Sequence, residues 1–168
     1  DQLYTTNNYT GSTSIDMEKQ ITSAVMYVTG QSDTVKVYFT EGHDEHPSTE
    51  FSAALKDNGY ECENLNISVS GAIPDDAAMV VVMAPVKDFA AEECNILDSY
   101  LDNGGKAIFL SEPGTENLPR LSEYLSEWGI VPRNDYIVEG DPNHAFRLQN
   151  GLTIPSPEFE EHDITKNL

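Results

Sequence analysis

The chain has 168 residues, the usual length of one domain, and its 39% hydrophobic residues are enough to build a core. It carries 29 acidic residues against 9 lysines and arginines, which gives a formal net charge of -20. This charge repels phosphate groups, so we predict no nucleic-acid partner and no binding to an anionic lipid surface. No apolar run reaches the roughly 18–20 residues that span a bilayer. The sequence begins at Asp1 without a methionine or a signal peptide, and we expect it to be a segment of a longer protein.

The first elements in chain order are a lead-in, a helix and a strand. Residues 1–15 are rich in Thr, Asn, Ser and Gly without an apolar period, which predicts a flexible or extended lead-in. Apolar residues at helical spacing predict a helix over residues 16–28. A β-branched and aromatic run at residues 34–39 predicts a strand.

A helix, an edge strand and a central strand are predicted next. The helix begins at Pro47 or Ser48 and ends at an Asn-Gly cap at residues 58–59. Residues 60–67 alternate apolar and polar side chains, which predicts an edge strand with one wet face. The connection that follows is short and is predicted to lack a full helix. Residues 79–83 read Met-Val-Val-Val-Met, which is typical of a central parallel strand covered on both faces.

The second half continues this alternation of helices and strands. Asp88 is predicted to cap a helix that ends at residues 103–105. Residues 106–110 predict a further buried strand. A helix over residues 118–128 and a last strand over residues 130–138 follow.

The alternation of strands with helices of about 10–15 residues is typical of right-handed βαβ units and a parallel sheet. We therefore predict an α/β fold with an open, mostly parallel, doubly wound sheet. The predicted layout has three α/β/α layers of the flavodoxin-like kind. This domain is assigned to residues 16–140. Residues 141–168 are predicted to form an irregular segment that packs on the domain or extends from it.

The carboxyl ends of the strands are the predicted ligand site, because open α/β sheets bind ligands there, near the topological switch point. The rule selects three turns, at residues 40–46, 84–87 and 111–115. The candidate ligand-binding residues in these turns are Glu41, Gly42, His43, Ala84, Pro85, Ser111 and Glu112.

The first turn holds two imidazoles three residues apart among carboxylates. His43 and His46 are therefore candidate ligands for a metal such as zinc or nickel. The proline and length of the turn do not fit a helical metal-binding face, and no third histidine has suitable spacing. The alternative is a polar turn whose glycine permits a positive φ and whose carboxylates favour the start of the next helix. We favour this alternative and predict no metal and no cofactor.

No catalytic residue is predicted. A nucleophile elbow needs a Ser or Cys among small residues after a central strand, whereas residues 83–87 read Met-Ala-Pro-Val-Lys. Ser111 is better explained as a hydrogen-bonding residue at a strand end, because Pro113 stands where helix amides would form an oxyanion hole. Gly104 and Gly105 end a helix and do not open one, so they do not form a phosphate-cradling loop.

The two cysteines, Cys62 and Cys94, fall in a predicted strand and a predicted helix among apolar neighbours. We interpret them as separate buried thiols. Pairing depends on the distance between their Cα atoms, and the sequence leaves it open.

An ordered set of motifs resembles the GldG-like family, which comprises auxiliary components of ABC-type transport systems of uncharacterised substrate. One motif is Val-Lys-Val-Tyr-Phe-Thr-Glu-Gly-His-Asp-Glu at residues 35–45, similar to the family's strand followed by Gly-His-Gly-Glu. The other matching segments are residues 21–29, 55–60, 73–77, 80–85, 92–105 and 162–165. Asp44 stands where the family has the second glycine of the turn, so a ligand that needs close backbone approach there is not expected.

The resemblance implies a domain on the extracytoplasmic face of the cell membrane, beside a permease and an ATPase and anchored by transmembrane segments outside this sequence. It also implies a glutamine-amidotransferase-like fold without the nucleophile, and a carbohydrate among the candidate ligands. It carries over no catalytic residue. We therefore expect a non-catalytic domain that binds a ligand such as a sugar, or contacts partner subunits, at the carboxyl edge of the sheet. The alternative is a hydrolase or amidotransferase-like enzyme, metal-assisted or not, that uses the turn at residues 41–46.

Overall fold

The computed structural model describes residues 5–6, 13–14, 21, 25, 35–112, 118–133, 135–148, 151, 153–156 and 162. The chain divides into two units, Asp1–Pro132 and Arg133–Leu168. The strands of the first unit are β1 (Thr5–Thr6), β2 (Thr13–Ser14), β3 (Val35–Thr40), β4 (Tyr60–Leu65), β5 (Ala77–Met83) and β6 (Ala107–Leu110). Its helices are α1 (Thr49–Asp57), α2 (Ile67–Ser70), α3 (Ala91–Asp102) and α4 (Pro119–Glu127). The second unit contains β7 (Ala145–Arg147) and β8 (Thr153–Pro155).

Four parallel strands form the main sheet, in the order β4-β3-β5-β6. This order is the one expected of a flavodoxin-like sheet, in which the second strand lies outside the first. The chain reverses direction across the sheet between β3 and β5, so the switch point lies at the carboxyl ends of these two strands. The predicted open, mostly parallel α/β fold is confirmed.

Helices cover both faces of this sheet, because successive side chains along each strand point to opposite sides. One face packs against α2, α3 and α4, and its fully buried side chains are Ile67, Val80, Val82 and Leu97. The other face packs against α1 around the buried side chains of Val37, Phe39, Val81 and Met83. The apolar run of β5 is buried on both sides, as the sequence predicts for a central strand.

Helix α1 has the ends that the sequence predicts. The Ser48 hydroxyl accepts a hydrogen bond from Phe51 N at 3.1 Å and satisfies one donor of the first turn. Asn58 ends the helix, and Gly59 follows with a φ of +84°, a left-handed conformation that favours glycine.

Helix α3 begins at Ala91, and the prediction that Asp88 caps it is wrong. The Asp88 carboxylate instead accepts hydrogen bonds from Arg120 N at 2.9 Å and Leu121 N at 3.0 Å. Helix α4 needs this external acceptor because Leu118, at its N-cap position, supplies no side-chain hydrogen bond. Asp88 therefore ties the start of α4 to the loop after β5.

The connection between β4 and β5 lacks a full helix, as predicted, and contains only the four-residue helix α2, which the Asn66 side chain caps by accepting a hydrogen bond from Val69 N at 3.0 Å. The prediction that β6 is buried is wrong, because this strand is only half-buried and Leu110 is 42% exposed. The physical reason is that β6 pairs with β5 alone among the described strands, so it lies at an edge of the sheet.

The strand predicted over residues 130–138 is absent from the described part of that segment. Its apolar side chains are exposed, Pro132 has no N–H for a ladder, and the boundary between the two units follows Pro132. The second unit contains the antiparallel pair β7–β8, so residues 141–168 are more regular than predicted. Of the helix predicted over residues 16–28, only Ile21 and Val25 are described, and both are helical.

The two cysteines lie in different elements and are both free. Cys62 is half-buried in β4, and Cys94 is buried in α3. Burial raises the pKa of the Cys94 thiol to about 11. None of the helices in the described ranges is long and apolar enough to cross a membrane.

Candidate functional site at the carboxyl edge of the sheet

The turns after β3 and β5 are hydrogen-bonded to each other at the switch point. The His43 carbonyl accepts hydrogen bonds from Val86 N and Lys87 N, both at 2.9 Å. His46 N in turn donates to the Met83 carbonyl at the end of β5, at 3.2 Å. The two turns therefore form one connected surface.

A buried imidazole stands at the centre of this surface. The His43 Nδ1 atom lies 3.0 Å from Glu45 Oε1, and Nε2 lies 3.1 Å from Glu93 Oε2. The ring stacks on Phe89 with a centroid distance of 3.9 Å and an interplanar angle of 6°. An ionised carboxylate only accepts hydrogen bonds, so two carboxylate neighbours require a proton on both ring nitrogens. The arrangement therefore favours the imidazolium form of His43, held between two carboxylates.

The pKa shifts agree with this protonation state. Burial lowers the pKa of His43, but the hydrogen bonds to Glu45 and Glu93 outweigh it, and the pKa is raised above its ordinary value. Burial raises the pKa of the Glu45 carboxyl, but hydrogen bonds from the His43 ring and from nearby backbone N–H groups outweigh it and lower the pKa to about 2. The three shifts therefore all favour the charged forms of these groups.

Glu93 connects this cluster to the first turn of α3. Its Oε2 atom accepts hydrogen bonds from the His43 ring and, at 2.8 Å, from Ala90 N. Burial raises the pKa of Glu93, and the nearby Ser68 hydroxyl, Ala90 N and His43 outweigh that effect and lower it. The Ser68 hydroxyl is nevertheless not placed to form a hydrogen bond with Glu93. The Oε1 atom of Glu93 has no hydrogen-bond partner in the part of the chain that the structure describes.

The seven predicted ligand-binding residues all lie at this edge, but at different depths. Glu41, Ser111 and Glu112 are exposed, whereas His43, Ala84 and Pro85 are buried. The third turn joins the other two through a contact of 3.0 Å between His46 Nδ1 and Glu112 Oε2, both more than half exposed. Whether these residues bind a ligand stays a prediction.

Backbone conformation fixes the shape of the first turn. Gly42 has a φ of +117°, and a Cβ atom there would lie 2.9 Å from Asn66 Nδ2, so the position requires glycine. Asp44 has a φ of +53° and pairs with Lys87 at 2.8 Å. Ala84, at the end of β5, also has a positive φ, of +46°. In non-glycine residues such as Asp44 and Ala84, such conformations cost about 1–3 kcal/mol each and concentrate at functional sites.

Sequence reasoning missed Glu93 and Phe89, the two α3-side partners of His43. Glu93 is the third residue of α3, where a carboxylate reaches back to the N-cap N–H. The signal is present in the sequence, but placing the cap at Asp88 put the wrong residues in that position.

The arrangement limits the chemistry of His43. Both ring nitrogens are engaged, so neither is available to accept a proton from a substrate or to bind a metal. His46 lies apart from this cluster, against Glu112. Over the described ranges, no group of three or more His, Cys, Asp or Glu side chains could hold a metal ion.

A groove of about 640 Å³ lies at the opposite, amino edge of the sheet. It is lined by the loops before β5 and β6 and by one side of α3. Asp75 is its one charged lining residue, and it shares none with the carboxyl edge. The groove and the polar site are thus separate features of the first unit.

Comparisons with known proteins identify a family and a fold. A family model described as an ABC-type uncharacterized transport system matches residues 34–168. Among curated proteins no match was found. Among solved structures, the mmIFT52 N-terminal domain is similar, with a TM-score of 0.54 and 22% identity over 62% of this chain and 49% of that chain. The match thus spans about half of that structure, and at this identity the likeness shows the fold alone.

Proposed function

Because this chain belongs to the family of auxiliary components of uncharacterised ABC-type transport systems, we propose that it is a non-catalytic recognition domain of such a system. Its carboxyl edge would bind a ligand such as a sugar, or contact a partner subunit. The GldG-like subfamily, the extracytoplasmic location and the membrane anchor outside this sequence are parts of the same proposal. The partners would be the permease and the ATPase, or other components of the complex.

The observation that carries the proposal is the buried cluster of His43, Glu45 and Glu93. It ties the turn after β3 to α3 and leaves the imidazole no free nitrogen. A group so engaged fixes the shape of a surface but cannot shuttle protons. At the same edge of the sheet, three polar side chains are exposed to solvent and form what we call the rim: Glu41, His46 and Glu112. An exposed polar rim on such a cluster favours recognition over catalysis.

The alternative of a hydrolase or amidotransferase-like enzyme has less support. It needs an imidazole that accepts a proton from a nucleophile such as Ser111. Ser111 is exposed at the end of β6, and the hydrogen bonds of the His43 ring go to carboxylates. No observation favours this enzyme, so we do not propose it.

The test uses the full-length protein with its own permease and ATPase. Glu41→Gln combined with His46→Ala changes the exposed rim without touching the buried cluster. We expect co-purification of the partner subunits and transport to fall by about tenfold, the effect of losing a few rim hydrogen bonds.

Asp75→Asn combined with Asn103→Ala is the matched control, because both residues line the groove at the amino edge. Equal loss in the rim variant and this control would point to a general defect. Wild-type association and transport in the rim variant would exclude this edge as the recognition surface.

A further inference from the structure

The β6 edge of the sheet is open within the described part of the chain. The two edges of the sheet are β4 and β6. All four residues of β6 are at least partly exposed, and Leu110 is 42% exposed. An edge strand with apolar side chains offers unpaired backbone groups to another strand.

Hydrogen bonds to β5 determine which backbone groups of β6 point outward. The carbonyls of Lys106 and Leu110 accept hydrogen bonds from Val80 N and Ala84 N, at 2.9 and 2.8 Å. Backbone groups alternate in direction along a strand, so Ile108 also faces β5. The N–H and C=O groups of Ala107 and Phe109 therefore point away from the sheet.

We propose that β6 pairs antiparallel with β6 of a second copy of this chain, on a two-fold axis at Phe109. In this register Phe109 lies opposite Phe109 of the second copy, and Ala107 lies opposite Ser111 of the second copy. The register is allowed because the backbone groups of Ala107 and Phe109 point outward. The pair would join the two sheets into one continuous sheet through an isologous interface. This assembly goes beyond the proposed recognition role and does not depend on it.

The register makes the side chains complementary. In it, Ile108 lies opposite Leu110 of the second copy, and Lys106 lies opposite Glu112. These are non-hydrogen-bonded pairs, whose Cα atoms approach to about 4.5 Å and whose side chains interact most closely. Two-fold symmetry repeats each pair, so an apolar centre is flanked on both sides by opposite charges.

The other edge of the sheet does not allow the same pairing. Strand β4 reads Tyr-Glu-Cys-Glu-Asn-Leu, with Glu61 and Glu63 on one face. Antiparallel self-pairing about Cys62 would place Glu61 opposite Glu63 of the second copy, and like charges directly opposite are destabilising. In this register the β4 edge lacks the complementary pattern that the β6 edge has.

The net charge of -20 on each copy opposes the assembly. We therefore expect a weak dimer whose association strengthens as salt screens the long-range repulsion. The local charge pairs would become weaker with salt, but they act over a shorter distance than the repulsion between whole molecules.

The experiment is sedimentation equilibrium of the 168-residue chain over a wide concentration range, at low and moderate ionic strength. The variants are Lys106→Glu, Glu112→Lys and the double charge swap. Each single variant places like charges opposite each other, and we expect dimerisation to weaken by about tenfold. The double swap restores both pairs and the net charge, and we expect it to restore the dimer.

Glu112→Lys separates the register from general charge repulsion. This change lowers the net negative charge, so non-specific repulsion alone predicts a stronger dimer, whereas the register predicts a weaker one. His46→Ala is the control for loss of the His46–Glu112 contact and should leave the dimer unchanged. A chain that is monomeric at all concentrations would overturn the proposal, as would a double swap that fails to recover.

Discussion

At the residue scale, His43 is the side chain on which the shape of the carboxyl edge depends. It bridges Glu45 in its own turn and Glu93 in α3, and stacks on Phe89. A buried ion pair is weak evidence for net stability, but removing one partner leaves the other charges buried and uncompensated. The three groups must therefore be considered together.

Replacing His43 with alanine should destabilise the fold strongly. Glu45 and Glu93 would remain buried on either side of the former ring position without a positive charge between them. We expect the free energy of unfolding to fall by about 3–5 kcal/mol, measured by urea denaturation. His144→Ala is the control, because His144 is an exposed histidine paired with Asp141 and should cost about 0–1 kcal/mol. A cost for His43→Ala as small as the control's would mean that the cluster contributes little.

The same cluster predicts how stability depends on pH. The raised pKa of His43 gives stability that is full below about 6.5 and is lost as pH rises through the raised value. The lowered pKa values of Glu45, at about 2, and Glu93 give stability that is full above 4.5 and is lost as pH falls towards 2. We expect the free energy of unfolding to be highest between about pH 4.5 and 6.5.

Urea denaturation across this pH range is the measurement, with His43→Ala as the comparison. In the wild type, the free energy of unfolding should fall as pH rises, because His43 loses its proton. The variant should not show this fall. An equally steep fall in the variant would assign the effect to other groups.

At the element scale, the sequence predicts best where local chemistry and burial agree. Helix α1 is capped by Ser48, one of the two predicted starting residues, and ends at the predicted Asn-Gly pair. Strand β5 is apolar on both faces because it is central. In both cases the signal is contained within the element itself.

Predictions fail where a distant partner decides the structure. Asp88 stands before a helix and looks like its cap, yet its acceptor capacity is used by Arg120 N and Leu121 N, more than 30 residues later. The burial of β6 depends on what lies beside it, and that information is not in its four residues. The buried role of His43 was missed for the same reason, since Glu93 is 50 residues away.

Gly105 is a position where two elements approach too closely for a side chain. A Cβ atom there would overlap the ring of Tyr100 in α3. That ring cannot move freely, because its hydroxyl accepts a hydrogen bond from Lys106 N at 3.2 Å and lies 3.2 Å from the Ala77 carbonyl, to which it can donate. We expect Gly105→Ala to cost about 1–3 kcal/mol in thermal or urea unfolding.

Gly140→Ala is the matched control, since no atom of the described residues lies within 4 Å of where its Cβ would stand and its φ is not left-handed. It should change stability by less than about 0.5 kcal/mol. Adding Tyr100→Ala to Gly105→Ala should remove the overlap, so the two costs should not add. Additive costs would show that overlap with the ring is not the cause.

At the scale of the whole molecule, the dominant property is the net charge of -20. Mutual repulsion among so many carboxylates destabilises the compact state, and salt screens it over a distance that falls from about 30 Å at 0.01 M to about 3 Å at 1 M. We expect the melting temperature to rise by several degrees between low and moderate salt. Sodium and potassium chloride should act alike, because screening depends on ionic strength and not on ion identity. A melting temperature that falls with salt would mean that attractive ion pairs outweigh the repulsion.

The two free thiols allow local opening motions of the fold to be measured by chemical labelling. Cys94 belongs to α3 and is buried on the face of the sheet that α2, α3 and α4 cover. Cys62 lies half-buried in the edge strand β4, on the face that α1 covers. A thiol reagent added to the native protein should modify Cys62 first, through small fluctuations at the edge. Cys94 should react more slowly and mainly when α3 and α4 move apart, because it is buried, lines the narrow cavity between these two helices and has a pKa of about 11. The two labelling rates would therefore report separately on motion at the β4 edge and on motion between α3 and α4, using only residues that the chain already contains.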